Sequence, residues 1–160
     1  MSSEPTEWNQ KVDMTWKEYF NPRWMVPHIG IVKLARRLEK ELGKEKAHQI
    51  VKEVAYDLAY EDTKKRTEGV KVNSLEDVPK AMNLFHDTMT RTGSGHSSEG
   101  YCLWAKTFND LDAPDIGYLW ICNAELAIQS ALNPNIKLTQ GETLMTGKSF
   151  CDNKVSWEED

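Results

Sequence analysis

The chain has 160 residues, a mass of 18.4 kDa and a net charge of −5, with acidic and basic residues interspersed. This length fits one domain with its own core, and without a clustered basic face nucleic acid is not expected as a partner. No apolar run reaches the roughly 18 to 20 residues that span a bilayer. The polar start MSSEPTEWNQ also lacks the pattern of a secretory signal, so the sequence predicts a soluble cytoplasmic protein with no membrane partner.

Residues 1–28 form an aromatic-rich N-terminal arm in which Pro22 and Pro27 are expected to interrupt any helix. Large aromatic side chains seldom stay in water, so the arm is expected to lie across the domain or across a partner subunit. A homodimer is therefore expected. Residues 29–160 are predicted to form a single α+β domain. The aromatic residues of the arm are Trp8, Trp16, Tyr19, Phe20 and Trp24.

Two helices are predicted next, joined by the short link at Gly43 and packed antiparallel. The apolar stripe of the first comprises Ile31, Leu34, Leu38 and Leu42; that of the second, which closes at Gly69, comprises Ala47, Ile50, Val51, Val54, Ala55 and Leu58. A third helix is expected to begin at Ser74, because Asp77 follows three residues later as in a capping box. Its inner face would be Val78, Met82, Phe85 and Met89.

The second half of the chain mixes a loop, strands and one helix. TGSGHSSEG, residues 92–100, is predicted to be a loop, and YCLWAKTF, residues 101–108, a strand. A buried helix should begin near Pro114 and end at Asn133-Pro134. IKLTQGETLM and SFCDNKVSW are then expected to pair as an antiparallel hairpin that turns at Gly147. The predicted class is α+β: N-terminal helices, then a small antiparallel sheet with one inserted buried helix.

The three cysteines are Cys102, Cys122 and Cys151, an odd and widely spaced set that predicts reduced thiols rather than a disulfide framework or a structural zinc site. Each could simply fill a core, because free cysteine is among the most buried residue types. As a nucleophile, a thiol needs access and a neighbour that favours its thiolate. Glu125 shares a helix face with Cys122, whereas Asp152, adjacent to Cys151 on a predicted strand, should point to the other face.

His96 is the histidine of interest, since it lies in the Gly/Ser loop before Cys102, where an exposed loop residue is the plainer interpretation and a catalytic base is the alternative. No pair of histidines has the spacing of helical metal ligands, and MTGKS, residues 145–149, joins two predicted strands, where a phosphate-binding loop would precede a helix. The sequence therefore predicts no cofactor and no bound metal.

Residues 115–153, DIGYLWICNAELAIQSALNPNIKLTQGETLMTGKSFCDN, resemble the C-terminal signature of the L-2-amino-thiazoline-4-carboxylic acid hydrolase family. The shared features are a Cys-x-x-acid helix, an Asn-Pro pair, a Thr-Leu-Met-x-Gly turn and a Cys-Asp pair, and a weaker likeness extends over residues 29–157. Glu125 stands where the family often has aspartate, and Asn153 where it often has an aromatic residue. Substrate identity is therefore not carried over.

The resemblance implies a hydrolase that opens a small ring at an amidine-like or thioimidate-like carbon. Such chemistry needs an attacking thiolate or a held water, and an acid for the departing atom. The hypothesis is that Cys102, Cys122 and Cys151 line one pocket and act on a small-molecule substrate. Glu125 or Asp152 would be the acid/base and His96 a helper.

Two other interpretations stay open at this stage. The helical layer followed by a small sheet is also similar to the vinyl-reductase-like small-molecule-binding domains, which would make the protein a sensory domain without chemistry. Alternatively, three thiols that meet near a carboxylate could hold a metal ion.

Overall fold

The computed structural model describes residues 16–78, 80, 81 and 102–158, with side chains from Met25 onward. Helix α1 spans Trp16–Leu42 and helix α2 spans Lys44–Arg66, and the two pack together. A 3₁₀ turn, Leu75–Asp77, follows. The second half contains α3 (Leu103–Asp110), α4 (Pro114–Gly117), a π-helical turn (Tyr118–Cys122), α5 (Asn123–Leu132), β1 (Ile136–Gln140), the 3₁₀ turn Leu144–Thr146, and β2 (Asn153–Trp157). No helix in this described part is long and apolar enough to cross a membrane.

The α+β class is confirmed, with a sheet of two antiparallel strands. The strand predicted at residues 101–108 is wrong: this segment forms α3, preceded by Cys102. Its buried side chains Ala105 and Phe108 are three residues apart, which is helical spacing. The side chains of Thr107 and Asn109 donate hydrogen bonds to backbone carbonyls one turn earlier. The buried helix therefore precedes the sheet rather than being inserted in it.

Helix α1 begins earlier than the sequence indicated, because neither Pro22 nor Pro27 interrupts it. Proline lacks an N–H group and leaves one carbonyl a turn earlier without its helical donor. Pro27 is exposed, so water can reach that side of the helix. The expected interruption at these prolines is wrong, and the division into residues 1–28 and 29–160 stays a prediction.

Small side chains make the α1–α2 contact. Ala35 is buried on α1, and Ala47, Val51 and Ala55 are buried on α2. Four members of the predicted apolar stripes are exposed instead, which makes those assignments wrong: Leu34, Leu42, Val54 and Leu58. Close helix packing favours the small residues, and the larger side chains lie toward solvent.

The predicted third helix is described only at its start. The 3₁₀ turn begins after Ser74, as expected, and the Asp77 carboxylate accepts a hydrogen bond of 2.9 Å from the Asn73 N–H. Its predicted inner-face residues Met82, Phe85 and Met89 lie outside the described residues, as does the loop at residues 92–100.

The core joins the helices to the C-terminal segment. Phe108 and Ile116 are fully buried beside Met145, and His28 of α1 meets the rings of Trp104 and Phe108 edge-on at 5.2 and 5.5 Å. The π turn and α5 pack against α2 on one side, and α5 contacts β1 on the other. The chain from α3 to β2 is thereby held in one body around the helix that carries Cys122 and Glu125.

The predicted hairpin is confirmed, with shorter strands. Gln140 pairs with Asn153 at one end of the sheet and Ile136 with Trp157 at the other. The connecting segment is closed by hydrogen bonds from the Gly141 N–H to the Asp152 carbonyl, 2.7 Å, and from the Asp152 N–H to the Glu142 carbonyl, 2.8 Å. Gly147 has φ 83°, the left-handed conformation that glycine adopts without strain, so the turn predicted there is present.

Candidate functional site

The three thiols lie at ends of separate elements. Cys102 directly precedes α3, Cys122 ends the π turn, and Cys151 lies two residues before β2. Burial raises the pKa of Cys122 most strongly, and the charges of Glu125, Cys102 and Cys151 raise it further. The four groups come from three different parts of the fold: the start of α3, the π turn with α5, and the segment before β2.

Cys102 caps the N-terminus of α3. Its Sγ accepts a hydrogen bond from the Ala105 N–H at 3.4 Å. The first N–H groups of a helix have no partner within the helix, and the helix dipole places partial positive charge at this end. The Cys102 sulfur thus supplies an acceptor for one of these N–H groups.

Cys151 has one backbone donor of its own. Its Sγ accepts from the Leu144 N–H at 3.4 Å, at the start of the second 3₁₀ turn. Burial raises the pKa of Cys151, the Leu144 hydrogen bond opposes this, and the charges of Cys102 and Glu125 raise it again. Cys151 therefore belongs to the same electrostatic group as the other two thiols.

Glu125 is held by amides from both strands. Asn153 Nδ2 donates to Glu125 Oε2 at 2.9 Å, and Gln140 Nε2 donates to the same oxygen at 3.4 Å and to the Cys122 carbonyl at 2.7 Å. Burial raises the pKa of Glu125, and these two amide bonds oppose the rise. Its Oε1 has no hydrogen-bond partner among the described residues. A proton on Glu125 therefore belongs on Oε1.

The π turn before α5 carries Tyr118 and Cys122. Tyr118 and Cys122 are its first and last residues, and both pack against the main core. Burial raises the pKa of Tyr118, with a further contribution from the charge of Cys122. Single π turns within helices occur frequently at functional sites.

Asp152 lies beside the start of the connection between β1 and β2. The Asp152 side chain lies beside Gly141, where an added Cβ would be 3.0 Å from Asp152 Oδ2. Cys151 and Asp152 both precede β2, so their expected place on a strand is wrong. His96 lies outside the described residues.

Gln140 and Asn153 were missed as site residues by the sequence reasoning. Asn153 attracted attention only as a departure from the family pattern. Their shared role depends on the cross-strand register that makes them partners, which sequence spacing alone does not give. One signal could have suggested these two residues: a buried acid needs polar partners, and both neighbouring strands carry amide side chains.

A second polar cluster lies between α1, α2 and α4. Arg36 donates to both carboxylate oxygens of Asp115, at 2.8 and 2.9 Å, and to Glu39 Oε1 at 2.8 Å. His48 Nε2 is 2.6 Å from the same Glu39 oxygen. Burial alone would raise the pKa values of Glu39 and Asp115, but hydrogen bonds from His48 and Arg36 lower that of Glu39, and bonds from Arg36 lower that of Asp115.

Metal binding was one interpretation of the thiols, and the geometry favours a different set of residues. Among described side chains, the group whose ligand atoms all lie within 4.8 Å of one another is Glu39, His48 and Asp115, not the cysteines. Arg36 already bonds to both of its carboxylates. A cation there would face the guanidinium, so this cluster is better explained as an ion-pair network.

Two open surface depressions lie on α2 and the α1–α2 link, and the residues that line them include Gln49 and Lys52 but none of the thiols. The shared pocket expected around Cys102, Cys122 and Cys151 therefore stays a prediction.

Comparison with known proteins gives one match. The family model described as L-2-amino-thiazoline-4-carboxylic acid hydrolase matches residues 24–155, most of the chain. No curated protein and no solved structure matches the chain significantly. The matched region contains Cys102, Cys122, Glu125 and Cys151.

Proposed function

The chain belongs to the L-2-amino-thiazoline-4-carboxylic acid hydrolase family, and we propose that it hydrolyses a small cyclic compound at an amidine-like or thioimidate-like carbon, opening a C–N or C–S bond. One observation carries the proposal: the carboxylate of Glu125, three residues after Cys122, is held at a single oxygen by the amides of Asn153 and Gln140. A nucleophile and an acid/base close together are what this reaction requires.

We assign the nucleophile to Cys102. Its sulfur lies at the start of α3 and accepts a hydrogen bond from the Ala105 N–H at 3.4 Å. Cys122 suits the role least, because burial and the Glu125 charge raise its pKa and keep it a neutral thiol. Cys151 has one backbone donor but is opposed by burial. In this scheme Cys122 and Cys151 contact the substrate without attacking it.

Glu125 is the proposed acid/base, acting through Oε1. The amides of Asn153 and Gln140 hold Oε2, so the carboxyl group keeps one orientation while Oε1 exchanges a proton. Its raised pKa suits this role, because an acid/base works best when its pKa lies near the working pH.

The reaction would proceed in two stages. The Cys102 thiolate forms a bond to the ring carbon, and the C=N electrons move to the nitrogen, which takes the proton from Glu125 Oε1. The ring C–S or C–N bond then breaks as the lone pair of the remaining nitrogen re-forms a C=N bond, and the proton released from that nitrogen passes through Glu125 to the leaving atom. Water, deprotonated by Glu125, attacks the carbon attached to sulfur, and the Cys102 thiolate leaves. Asp152 and His96 remain candidates for proton transfer.

The experiment that tests the function is turnover of 2-amino-thiazoline-4-carboxylate by the full chain, followed by mass spectrometry of the ring-opened product. Cys102→Ser should abolish both the product and the covalent adduct. Asp152→Asn or His96→Ala should lower turnover only if the substituted residue transfers a proton. A wild-type protein that binds such rings without ever opening them would indicate a sensory domain. Full activity in single alanine variants of all three cysteines would disprove the cysteine mechanism.

We also propose that the enzyme works in the cytoplasm and forms a homodimer. Large apolar side chains on the first two helices are exposed, among them Leu34 at 55% and Leu58 at 57%. Burying them in a subunit interface would be favourable. Light scattering on the full chain tests this: a monomer at all accessible concentrations would contradict it.

A further inference from the structure

One side of the α1–α2 pair carries large apolar side chains that are exposed. Leu34 and Leu42 of α1 are 55% and 41% exposed, and Val54 and Leu58 of α2 are 49% and 57% exposed. On each helix the spacing of four or eight residues places the two side chains on one side. Each helix therefore has an apolar stripe that the described part of the chain leaves in contact with solvent.

The opposite side of both helices faces the rest of the domain. Arg36 of α1 donates to both carboxylate oxygens of Asp115, and His48 Nε2 of α2 is 3.7 Å from the same carboxylate. Around the helix axis, Leu34 lies about 160° from Arg36, and Val54 lies about 120° from His48. The two stripes thus lie together on one side of the pair, the outer face, which comprises Leu34, Leu42, Val54 and Leu58.

Two residues of opposite charge lie at the two far edges of this outer face. Lys33 of α1 and Glu53 of α2 are exposed, and each lies two residues from a buried side chain of the α1–α2 contact, Ala35 or Val51. A separation of two residues is about 160° around a helix, so Lys33 and Glu53 each point away from the other helix. A Lys33–Glu53 pair within one chain is therefore not possible.

The charges near the two edges differ in sign. Lys33 and Arg37 are exposed four residues apart on α1, and Glu53, Asp57 and Glu61 are exposed at intervals of four on α2. If two copies met with α2 against α2, the acidic residues would face one another, which is unfavourable. If α1 met α2 of the other copy, bases would face acids. Charge complementarity therefore favours a second copy that is turned in the latter way.

We propose that the outer face is the homodimer interface, with α1 of each protomer packed antiparallel against α2 of its partner, so that Lys33 meets Glu53 of the partner subunit. The inference rests on the proposed homodimer and adds which helices meet. Lys33 and Glu53 are equally far from Gly43 along the chain, so they lie at the same level of the antiparallel pair. A two-fold axis parallel to the helices preserves that level and forms the Lys33–Glu53 contact twice.

The apolar stripes supply the attraction in this arrangement, and the charged edges select it. Leu34 lies next in the chain to Lys33, and Val54 next to Glu53, so pairing the charges also brings the two stripes together. Exposed apolar patches rimmed by polar residues are typical of protein interfaces. The charged pairs would lie at the solvent-exposed rim, where they affect the choice of partner surface more than the affinity.

The test is sedimentation equilibrium of the full chain with charge-reversed variants. Lys33→Glu and Glu53→Lys should each raise the dimer dissociation constant by about tenfold, because symmetry repeats every contact. The double variant should return to within about threefold of the wild type. Since the two residues lie at far edges of one chain, this rescue requires a partner subunit. Salt at about 1 M should reduce the effect of each single variant.

Lys154→Glu is the matched control, because it makes the same charge change at an exposed position of β2 and should leave the dissociation constant unchanged. Leu34→Glu should give a monomer with a native circular dichroism spectrum. If Lys33→Glu does not fold, Lys33→Gln replaces it. A dimer that tolerates both single reversals, or a double variant no better than the single ones, overturns this pairing alone. A monomeric wild type overturns the homodimer as well, and turnover of the ring compound tests the hydrolase separately.

Discussion

Gln140 and Asn153 are directly opposed across the two-stranded sheet, and both donate their side-chain amides to the same oxygen of Glu125. A cross-strand pair thus fixes a carboxyl group that belongs to a helix. The arrangement holds one carboxylate oxygen of Glu125, so the orientation of this carboxyl group depends on the register of β1 and β2.

Glu125→Gln is expected to stabilise the protein at neutral pH. Burial raises the folded-state pKa of Glu125, despite the opposing amide bonds, so its contribution to stability falls as pH rises from the unfolded pKa through the folded one. Glutamine carries no charge and its Oε1 can still accept both amides. Melting temperatures measured across pH should show a gain at pH 7 that vanishes under acid, where Glu125 is protonated in both states. An equal gain for Glu142→Gln, an exposed position paired with Lys148, would contradict this explanation.

Cys122 should be the slowest of the three thiols to react with iodoacetamide. Burial and the Glu125 charge raise its pKa, so little thiolate forms until the solution is strongly alkaline. Peptide mass spectrometry after timed labelling gives each rate separately. Glu125→Gln removes one of the opposing charges and should speed labelling of Cys122. A Cys122 that reacts fastest at neutral pH would contradict the assignment of roles.

Arg36→Met should cost about 1 to 3 kcal/mol of unfolding free energy, because it removes the guanidinium hydrogen bonds to Asp115 and Glu39. The matched control is Arg37→Met on the same helix. Arg37 pairs with Glu41 on the surface, with side chains 73% and 56% exposed, and its loss should cost less than about 1 kcal/mol. Urea denaturation compares the two, and similar costs would show that the network adds nothing beyond a surface pair.

The unfolding free energy of the wild type should fall more steeply in acid than that of Arg36→Met. The pKa values of Asp115 and Glu39 are lower in the folded state, so their contribution is present above the unfolded pKa values and is lost as pH falls through the folded ones. In Arg36→Met the acid limb of the stability curve should be shallower. Parallel limbs for wild type and variant, measured by denaturation at several pH values, would contradict the coupling.

Gly117→Ala and Gly30→Ala should have opposite effects. A Cβ at Gly117 would lie 2.5 Å from Met145 Sδ and 2.6 Å from Phe108 Cγ, so the variant must shift core side chains at a cost of about 1 to 3 kcal/mol. Gly30 lies in α1 with nothing within 4 Å of such an atom, and alanine there should gain about 0.5 to 1 kcal/mol from helix propensity. Calorimetric melting of both variants checks the signs. A neutral Gly117→Ala would mean that Met145 moves freely.

The elements with strong local signals were predictable from the sequence. Gly43 does separate two helices, and Gly147 does form a turn. The strand prediction for residues 101–108 was wrong because a short segment with apolar residues at several spacings fits both the strand period and the helix period. The cap at Cys102 favours the helix. The predicted burial of Leu34 and Leu58 was wrong because the neighbouring alanines make the contact between the helices.

The site was predictable only in part, for a physical reason. Cys122 and Glu125 share a helix face by spacing, and the structure keeps them together. The amides that hold Glu125 come from strands whose pairing is a tertiary property, so Asn153 appeared in the sequence only as an unusual residue. The π turn before Glu125 could not be predicted from the helix propensities of its residues.

The positions of the three thiols also bear on folding. Cys102, Cys122 and Cys151 each lie at an end of a different element, far apart along the chain. Contacts between distant segments form late and require closure of the chain between them. Any difference in reactivity among the three thiols therefore depends on tertiary structure, and we expect it to disappear when the chain is unfolded in urea.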